Sequence, residues 1–351
     1  MSSSVELKIG GDLWTGWKSV SITMSLEAVA NSFSVVTRTR DPWLIRAGST
    51  AELYFEGKLI LRGFVDQVAP SYDDGGSMAT ITGRSRTADL VDCSADTEPG
   101  EWWNARPQDV IREVVRPYGI SLIDSVGELE RILVFRIQPG ESAYEAIERI
   151  CRMRALLAMA TAGGDLLLTR PDPVWTGAEV REGVNVKSSS ATEDFSERYA
   201  EYIVRAQTFG TDDNYGPPAL QIEGRAFDPA IRSSRKILIT PESTASRLSA
   251  HSRAMWEATV RKARSLKVSV AVVGWKQPSG SLWIPNLRVQ AELPSLRISG
   301  QMLVSTVRLE LGEGGSTGTM ELMQPDSFIP QPDLDTTGNP FADLVAQEEE
   351  D

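Results

Sequence analysis

His251 is the one histidine in 351 residues, and histidine is the side chain whose ordinary pKa lies nearest neutrality. A nucleophilic triad needs it held between a hydroxyl and a carboxylate. Ser249-Ala250-His251-Ser252-Arg253 lies along one helical stretch and defines no such geometry, so His251 reads as a helix-surface or packing residue. Cys93 and Cys151, with that single histidine, lack zinc-ligand spacing. They are too few for a disulfide framework and read as reduced thiols. Trp102-Trp103 beside Glu98 and Glu101 offers an aromatic platform near an acid, the parts of a sugar-cleaving cleft. No second carboxylate can be placed at a working distance from sequence, and an aromatic plug at a domain junction is the favoured reading. Gly312-Glu313-Gly314-Gly315-Ser316-Thr317-Gly318 has no lysine and no following helix, so it reads as a hairpin turn rather than a phosphate loop. Asp73-Asp74-Gly75-Gly76 has too few alternating carboxylates for calcium. The expectation is no catalytic residue, no cofactor-binding residue and no metal site.

Charge narrows the partners. Thirty-six Lys and Arg against 48 Asp and Glu give a net charge of −12, the wrong sign for a protein that grips phosphates. The densest basic group, Arg261-Lys262-Ala263-Arg264, ends a helix and complements its dipole. An acidic surface repels DNA, which suits a conduit through which DNA slides. No apolar run approaches membrane-spanning length. The start, Met1-Ser2-Ser3-Ser4-Val5-Glu6, has neither the basic nor the apolar part of a secretory signal. Trp14 and Trp17 sit at a turn between strands. Capping a module's end and reaching a neighbouring subunit are equally weighted readings of that pair.

These residues must be held by short strands. Residues 5–95 alternate apolar and polar positions between glycine turns, as in Val20, Ile22, Met24 and Leu26, and predict an antiparallel barrel or sandwich. Residues 99–175 change character. Pro107 to Val115 predicts a helix with proline in its first turn. Ser142, three residues before Glu145, opens a second helix to about Leu157 with Ala143, Ile147, Ile150, Cys151 and Arg154 on one stripe. Strands return over 180–211, with Tyr202-Ile203-Val204 the clearest. Asp212 to Pro218 is loop, a long helix runs from about Ser243 to Ser265, and strands resume at Leu266. Beyond Pro325 the chain is proline-rich and ends Glu348-Glu349-Glu350-Asp351, an expected extended or disordered arm, read as a solubilising end in preference to a segment that docks onto a basic partner.

One β-module occurs twice. Ala51-Glu52-Leu53 recurs as Ala291-Glu292-Leu293, Gly63 as Gly300, and the Asp73–Gly76 turn as Gly312–Gly315, at an offset near 240. Duplication of a β-module points to architecture before it points to an active site. The expected fold is α+β and β-rich. It has two related antiparallel β-barrel modules, a small α/β insert and a helix-bearing segment. The expected boundaries are 1–98 (first module), 99–175 (insert), 176–211 with 265–328 (second module), 212–264 (loop and long helix) and 329–351 (tail).

Four phrases carry a family resemblance: Leu7 to Trp17, Ser25 to Phe33, Gly140 to Cys151, and Leu282-Trp283-Ile284-Pro285-Asn286. In this order and spacing they resemble the Mu-type baseplate hubs of contractile phage tails, over roughly residues 5–328. Such hubs are similar to the N-terminal part of type VI secretion spike proteins. The resemblance implies a homotrimeric ring, pseudo-sixfold because each chain carries two modules, that joins a sixfold tail tube to a threefold membrane-piercing spike. It implies tail tube protein, central spike protein and tape-measure protein as partners, with DNA only in transit and no membrane insertion. It also implies assembly in the host cytoplasm and residence in the virion baseplate. Some relatives fuse a peptidoglycan-cleaving domain; none is expected within these 351 residues. A tail-tip cell-wall hydrolase or carbohydrate-binding protein is the alternative.

Overall fold

The computed structural model describes residues 5–38, 45–74, 76–154, 156–171, 175, 177–206, 222–240 and 247–329. The fold is α+β and β-rich. In chain order its strands and helices are β1 (Val5–Ile9), β2 (Asp12–Trp14), β3 (Ser19–Ser25), β4 (Ser32–Arg38), β5 (Thr50–Phe55), β6 (Lys58–Asp73), β7 (Gly76–Ser85), α1 (Ala88–Asp92), β8 (Glu101–Ala105), α2 (Pro107–Val115), β9 (Leu122–Asp124), β10 (Ile132–Arg136), α3 (Ala143–Arg154), β11 (Leu157–Ala160), β12 (Leu166–Thr169), β13 (Ala178–Arg181), β14 (Val186–Glu193), β15 (Glu201–Ala206), β16 (Ile222–Phe227), β17 (Lys236–Ile239), α4 (Arg247–Arg264), β18 (Leu266–Val273), β19 (Arg288–Leu293), β20 (Ile298–Gly312) and β21 (Gly315–Met323). The chain divides into two compact units: Met1–Arg152 with Leu156–Ala191 and Val268–Met323, and Met153–Ala155 with Thr192–Lys267 and Gln324–Asp351.

The first unit is built on one 13-stranded sheet. Its main path runs β14-β18-β21-β20-β3-β4-β7-β6-β5-β1-β2, with β19 on β20 and β13 on β19. Alternation is clean. On β3, Val20 and Ile22 are buried while Ser21 and Thr23 look outward, and β4 repeats this with Phe33 and Val35 against Ser32 and Ser34. The period of two is what lets one face build a core while the other stays polar.

The two modules are copies at the level of individual rungs. In β6–β7 the partners run Asp73↔Gly76, Tyr72↔Ser77, Pro70↔Ala79, Val68↔Ile81 and Gln67↔Thr82, then skip Asp66 and resume at Val65↔Gly83. In β20–β21 they run Gly312↔Gly315, Leu311↔Ser316, Leu309↔Gly318, Val307↔Met320 and Thr306↔Glu321, then skip Ser305 and resume at Val304↔Leu322. Every rung differs by 239 in both partners, the bulge included. The neighbouring strand is equivalent at 238: Ala51 lies opposite Gly63 as Val289 lies opposite Met302. The Ala-Glu-Leu phrases are therefore not structural equivalents. They are slipped by two residues, a slip that leaves every side chain on its original face. Gly63 and Gly300 are likewise not equivalent. The copies also differ at the rim, where β1 is antiparallel to β5 but β13 is parallel to β19.

The modules join edge to edge. The outer half of β20 pairs antiparallel with β3, from Thr306↔Ser25 to Leu311↔Val20. Leu26 N–H donates to the Ser305 carbonyl at 2.8 Å, and the Ser25 and Thr306 hydroxyls meet at 3.0 Å. A second contact comes from the β5–β6 turn. The Phe55 ring lies 4.7 Å from that of buried Trp275, Trp275 Nε1 donates to the Glu310 carbonyl at 2.9 Å, and Lys276 pairs with Glu56. Glu56 has φ 49° and Gly57 φ 75°, the left-handed pair that a two-residue hairpin turn requires.

The insert has its own core. Val110, Ile111, Val114 and Val115 of α2 meet Ala143, Ala146, Ile147, Ile150 and Cys151 of α3, with Leu166 and Leu168 of β12. The capping box forms: Ser142 N–H donates to Glu145 Oε2 at 2.7 Å and Glu145 N–H to Ser142 Oγ at 3.2 Å. The helix ends at Arg154, and Leu157 to Ala160 is strand rather than a last turn.

In the second unit, α4 covers a three-stranded sheet, β16-β15-β17. Tyr202-Ile203-Val204 pairs here, with Ala226-Arg225-Gly224 and Ile237-Leu238-Ile239, and not with the second module, where the sequence had placed it. The reason is packing. Tyr202 and Val204 need an apolar cover, and Ala250 and Ala254 of α4 supply it. Gly224 permits the approach, since a Cβ there would lie 2.2 Å from the Ala250 backbone. A 3-10 turn at Pro325–Phe328 also packs on this helix, rather than on the second module. The expected loop at Asp212–Pro218, the helix start before Arg247 and the tail beyond Ile329 lie outside the described residues.

Candidate assembly interface

The residues singled out for chemistry are scattered rather than gathered. His251 is exposed on α4. Cys93 is exposed and Cys151 buried, both as free thiols, and burial pushes the Cys151 thiol up to about 12. Among the described residues no cluster of His, Cys, Asp and Glu is arranged to hold a metal. Trp102 is a plug. It is buried, its Nε1 donates to Glu113 at 2.7 Å, and its ring lies 6.1 Å from Phe135. Trp103 faces solvent at 65% exposure with the Arg136 guanidinium 5.6 Å over its ring. Glu101 is occupied by Arg136 at 2.8 Å. The platform and the acid are therefore both engaged by one cation, Arg136, rather than left open to a ligand. Trp17 donates to the Val5 carbonyl at 3.2 Å and staples the edge of its own module. Gly312 and Gly315 close the β20–β21 hairpin. Asp73 and Gly76 close its counterpart, with Gly75 outside the described residues. Arg261 pairs with Glu257 and Glu197, both in its own unit.

What the structure does gather is a surface. One face of the sheet carries Ser21 and Thr23 of β3, Ser32 and Ser34 of β4, Thr82 and Arg84 of β7, Asp66 of β6 and Arg308 of β20 around a shallow groove of about 450 Å³. Arg84 is held there by Asp66 at 2.7 Å and by Asp92 at 2.6 Å. Hydrogen bonds from Arg84 hold the Asp92 carboxyl below its ordinary range. The remaining groups are the Arg308 guanidinium, the Phe33 ring and short hydroxyls. Such a face is wet and carries no unpaired strong charge at Arg84. Sequence reasoning missed both this surface and Trp275. The signal for the surface was present in the alternate positions of Ser19-Val20-Ser21-Ile22-Thr23-Met24-Ser25, read for their apolar half alone.

The same sheet also presents edges. Beyond Phe64, β6 has β7 on one side and, among the described residues, no strand on the other. The corresponding half of β20 has β3. At the end of the path, β14 has β18 as its one strand neighbour among the described residues, and Val186 also bridges to Glu182.

The architecture is a duplicated, edge-joined β-module with a small α/β insert. Comparison with known proteins gives the class. Residues 4–85 match the family model for the Mu phage baseplate assembly protein GpP-like N-terminal domain. Residues 87–170 match the baseplate hub protein gp44-like second domain, and residues 246–331 the GpP fourth domain. The chain is 30% identical over 336 residues to baseplate hub protein gp44 of Escherichia phage Mu, covering 93% of this chain and 88% of that protein. It belongs to the Mu-type baseplate hub family, as a structural protein of the phage virion baseplate. Its fold is similar to that of the 43 kDa tail protein of prophage MuSo2 from Shewanella oneidensis. That likeness has a TM-score of 0.83 at 26% identity, over 93% of this chain and 99% of that one. At the level of fold alone it also resembles the E. coli c3393 protein, a component of the type VI secretion system. There the TM-score is 0.58 at 9% identity, covering 93% of this chain and 79% of that one.

Proposed function

We propose that three copies of this chain close into a ring that adapts a sixfold tail tube to a threefold membrane-piercing spike and leaves an open channel for DNA. One observation carries the reading: the β6–β7 and β20–β21 hairpins share their register rung for rung and lie in one continuous sheet. Three chains then offer six near-equivalent modules, while remaining threefold in everything else, which is what a symmetry adapter needs. In this reading the face around Ser21, Ser34 and Thr82 turns toward the channel: its hydroxyls give a passing polyanion little to hold, Arg84 is offset by Asp66 and Asp92, and Arg308 is the cation such a polyanion would meet there. The tube, spike and tape-measure proteins are the partners, and the chain assembles in the host cytoplasm before it enters the virion. The role is structural and uses no catalytic residue or cofactor.

The test is the native assembly. Light scattering should give three times the chain mass, and negative-stain averages should show a ring with a central hole. A chain that stays monomeric with and without its spike would sink the reading.

A further inference from the structure

We infer that the outer face of α4 receives the acidic segment 330–351 of the same chain, and that this contact screens the cations of the helix from DNA. The inference goes beyond the ring reading and does not depend on it.

The two partners are opposite in charge. The chain as a whole carries −12, yet α4 has Arg247, Arg253, Arg261, Lys262 and Arg264 against the single acid Glu257. Residues 330–351 hold Asp333, Asp335, Asp343, Glu348, Glu349, Glu350 and Asp351, and no Lys or Arg. The helix does not balance its charge locally. Arg253 and Arg261 share Glu257, and Arg261 also draws in Glu197. Lys262 and Arg264 are exposed, and among the described residues neither has a carboxylate partner.

The chain is already led along this helix. After β21 the 3-10 turn Pro325–Phe328 packs on α4. Arg264 Nε donates to the Ser327 carbonyl at 3.0 Å. Two residues later, Trp256 Nε1 donates to the Ile329 carbonyl at 2.7 Å. Position 256 lies about 12 Å along the axis from position 264, so the chain leaves antiparallel to α4. At about 3.1 Å per residue, the rise of a proline-rich extended chain, the stretch through Pro330 and Pro332 would reach the level of His251 in roughly three residues. Asp333 and Asp335 follow there, with Leu334 between them. His251, Met255 and Lys262 share the exposed stripe of the helix. Met255, 48% exposed, is an apolar spot that Leu334 can cover.

The tether makes a weak contact count. A short flexible connection holds the segment near its site at an effective concentration on the order of millimolar. An attraction too feeble for a separate peptide is then largely satisfied. Left bare, the cations of α4 would hold phosphates in a salt-dependent way. Covered by carboxylates, the same face repels a polyanion. The segment thus acts as a built-in stand-in for DNA on the most basic element of an acidic protein.

The experiment uses the full chain and a chain cut after Gln331, which keeps the Ile329 contact. Carbodiimide treatment of the full chain at about 50 mM salt should join Lys262 to a carboxylate between Asp333 and Asp351 within one chain, read by peptide mapping; the yield should fall severalfold at about 500 mM salt, where screening is far stronger. Fluorescence anisotropy with a short labelled DNA duplex should show the cut chain binding roughly tenfold tighter than the full chain at low salt. Lys262→Glu in the cut chain should take back most of that gain. No crosslink at Lys262, or one that joins two chains, overturns the docking. Equal DNA binding by the full and cut chains overturns the screening. Light scattering should give both chains the same mass per particle, so either failure leaves the ring reading untouched.

Discussion

The α/β insert and the helix-covered sheet of the second unit are held by different forces. The insert buries a broad apolar cluster from α2, α3 and β12, with Ile111, Ile147 and Ile150 at 0% exposure. Among the described residues the β15–β17 sheet buries Tyr202, Val204 and Ala226 against Ala250 and Ala254 and surrounds them with ion pairs. Arg198 and Asp228, both nearly inaccessible, meet at 2.7 Å. Glu257 takes Arg253 and Arg261, and on the far face Glu201 takes Arg225 and Lys236. Arginines also lie over aromatic rings, Arg198 over Phe195 at 4.2 Å and Arg235 over Tyr199 at 4.9 Å. The comparison teaches that a small core can be supplemented by paired charges, but at the cost of making the structure depend on both members of each pair.

The largest expected effect follows from that dependence. Asp228→Ala strands the Arg198 guanidinium in a buried site and should cost about 3–5 kcal/mol. Hydrogen exchange should show amides of residues 199–206 losing protection while those of α3 do not. Replacing both residues by leucine should restore much of the loss; a double variant as weak as the single one would break the account.

In the insert the corresponding wound is a cavity. Ile147→Ala should cost about 2–5 kcal/mol, by lost burial and imperfect collapse. It should loosen α2 and α3 together and leave residues 199–206 unchanged. Equal loosening in both regions would mean that they unfold as one cooperative body.

The smallest effect distinguishes the two by acid. A hydrogen bond from Lys236, assisted by Arg225, holds the Glu201 carboxyl below its ordinary value of 4.5. Arg205 and then Arg225 do the same for Glu223. A lowered folded value means stability that is complete above the unfolded pKa and lost as pH falls through the folded one. Between about pH 5 and pH 3 the second unit should therefore lose protection before the apolar core of the insert, followed by exchange in the same peptides. Simultaneous loss would remove the distinction.

Much of the architecture was legible in sequence because its signals are local. Ser142 and Glu145 announced a cap, and the capping box is formed. Val20, Ile22 and Met24 announced a strand with one buried face. The repeat was legible too, but its register was not: a slip of two residues preserves alternation, so only backbone pairing distinguishes Ala51↔Gly63 from its apparent counterpart Ala291↔Gly300. Tyr202-Ile203-Val204 shows the same limit, since alternation says that a strand exists but not which sheet it joins. The groove lined by β3, β4, β7 and β20 stayed hidden because Thr306 to Leu311 and Ser19 to Ser25 meet across some 280 residues of chain, as the Ser25–Thr306 contact illustrates.

The bulges at Asp66 and Ser305 carry one more consequence. An extra residue on one strand bends and coils the ribbon locally. Placed at the same rung in both copies, it gives each module a like curvature. In the ring proposed above, such pieces would advance by near-uniform angular steps, even though β1 is antiparallel to β5 and β13 parallel to β19.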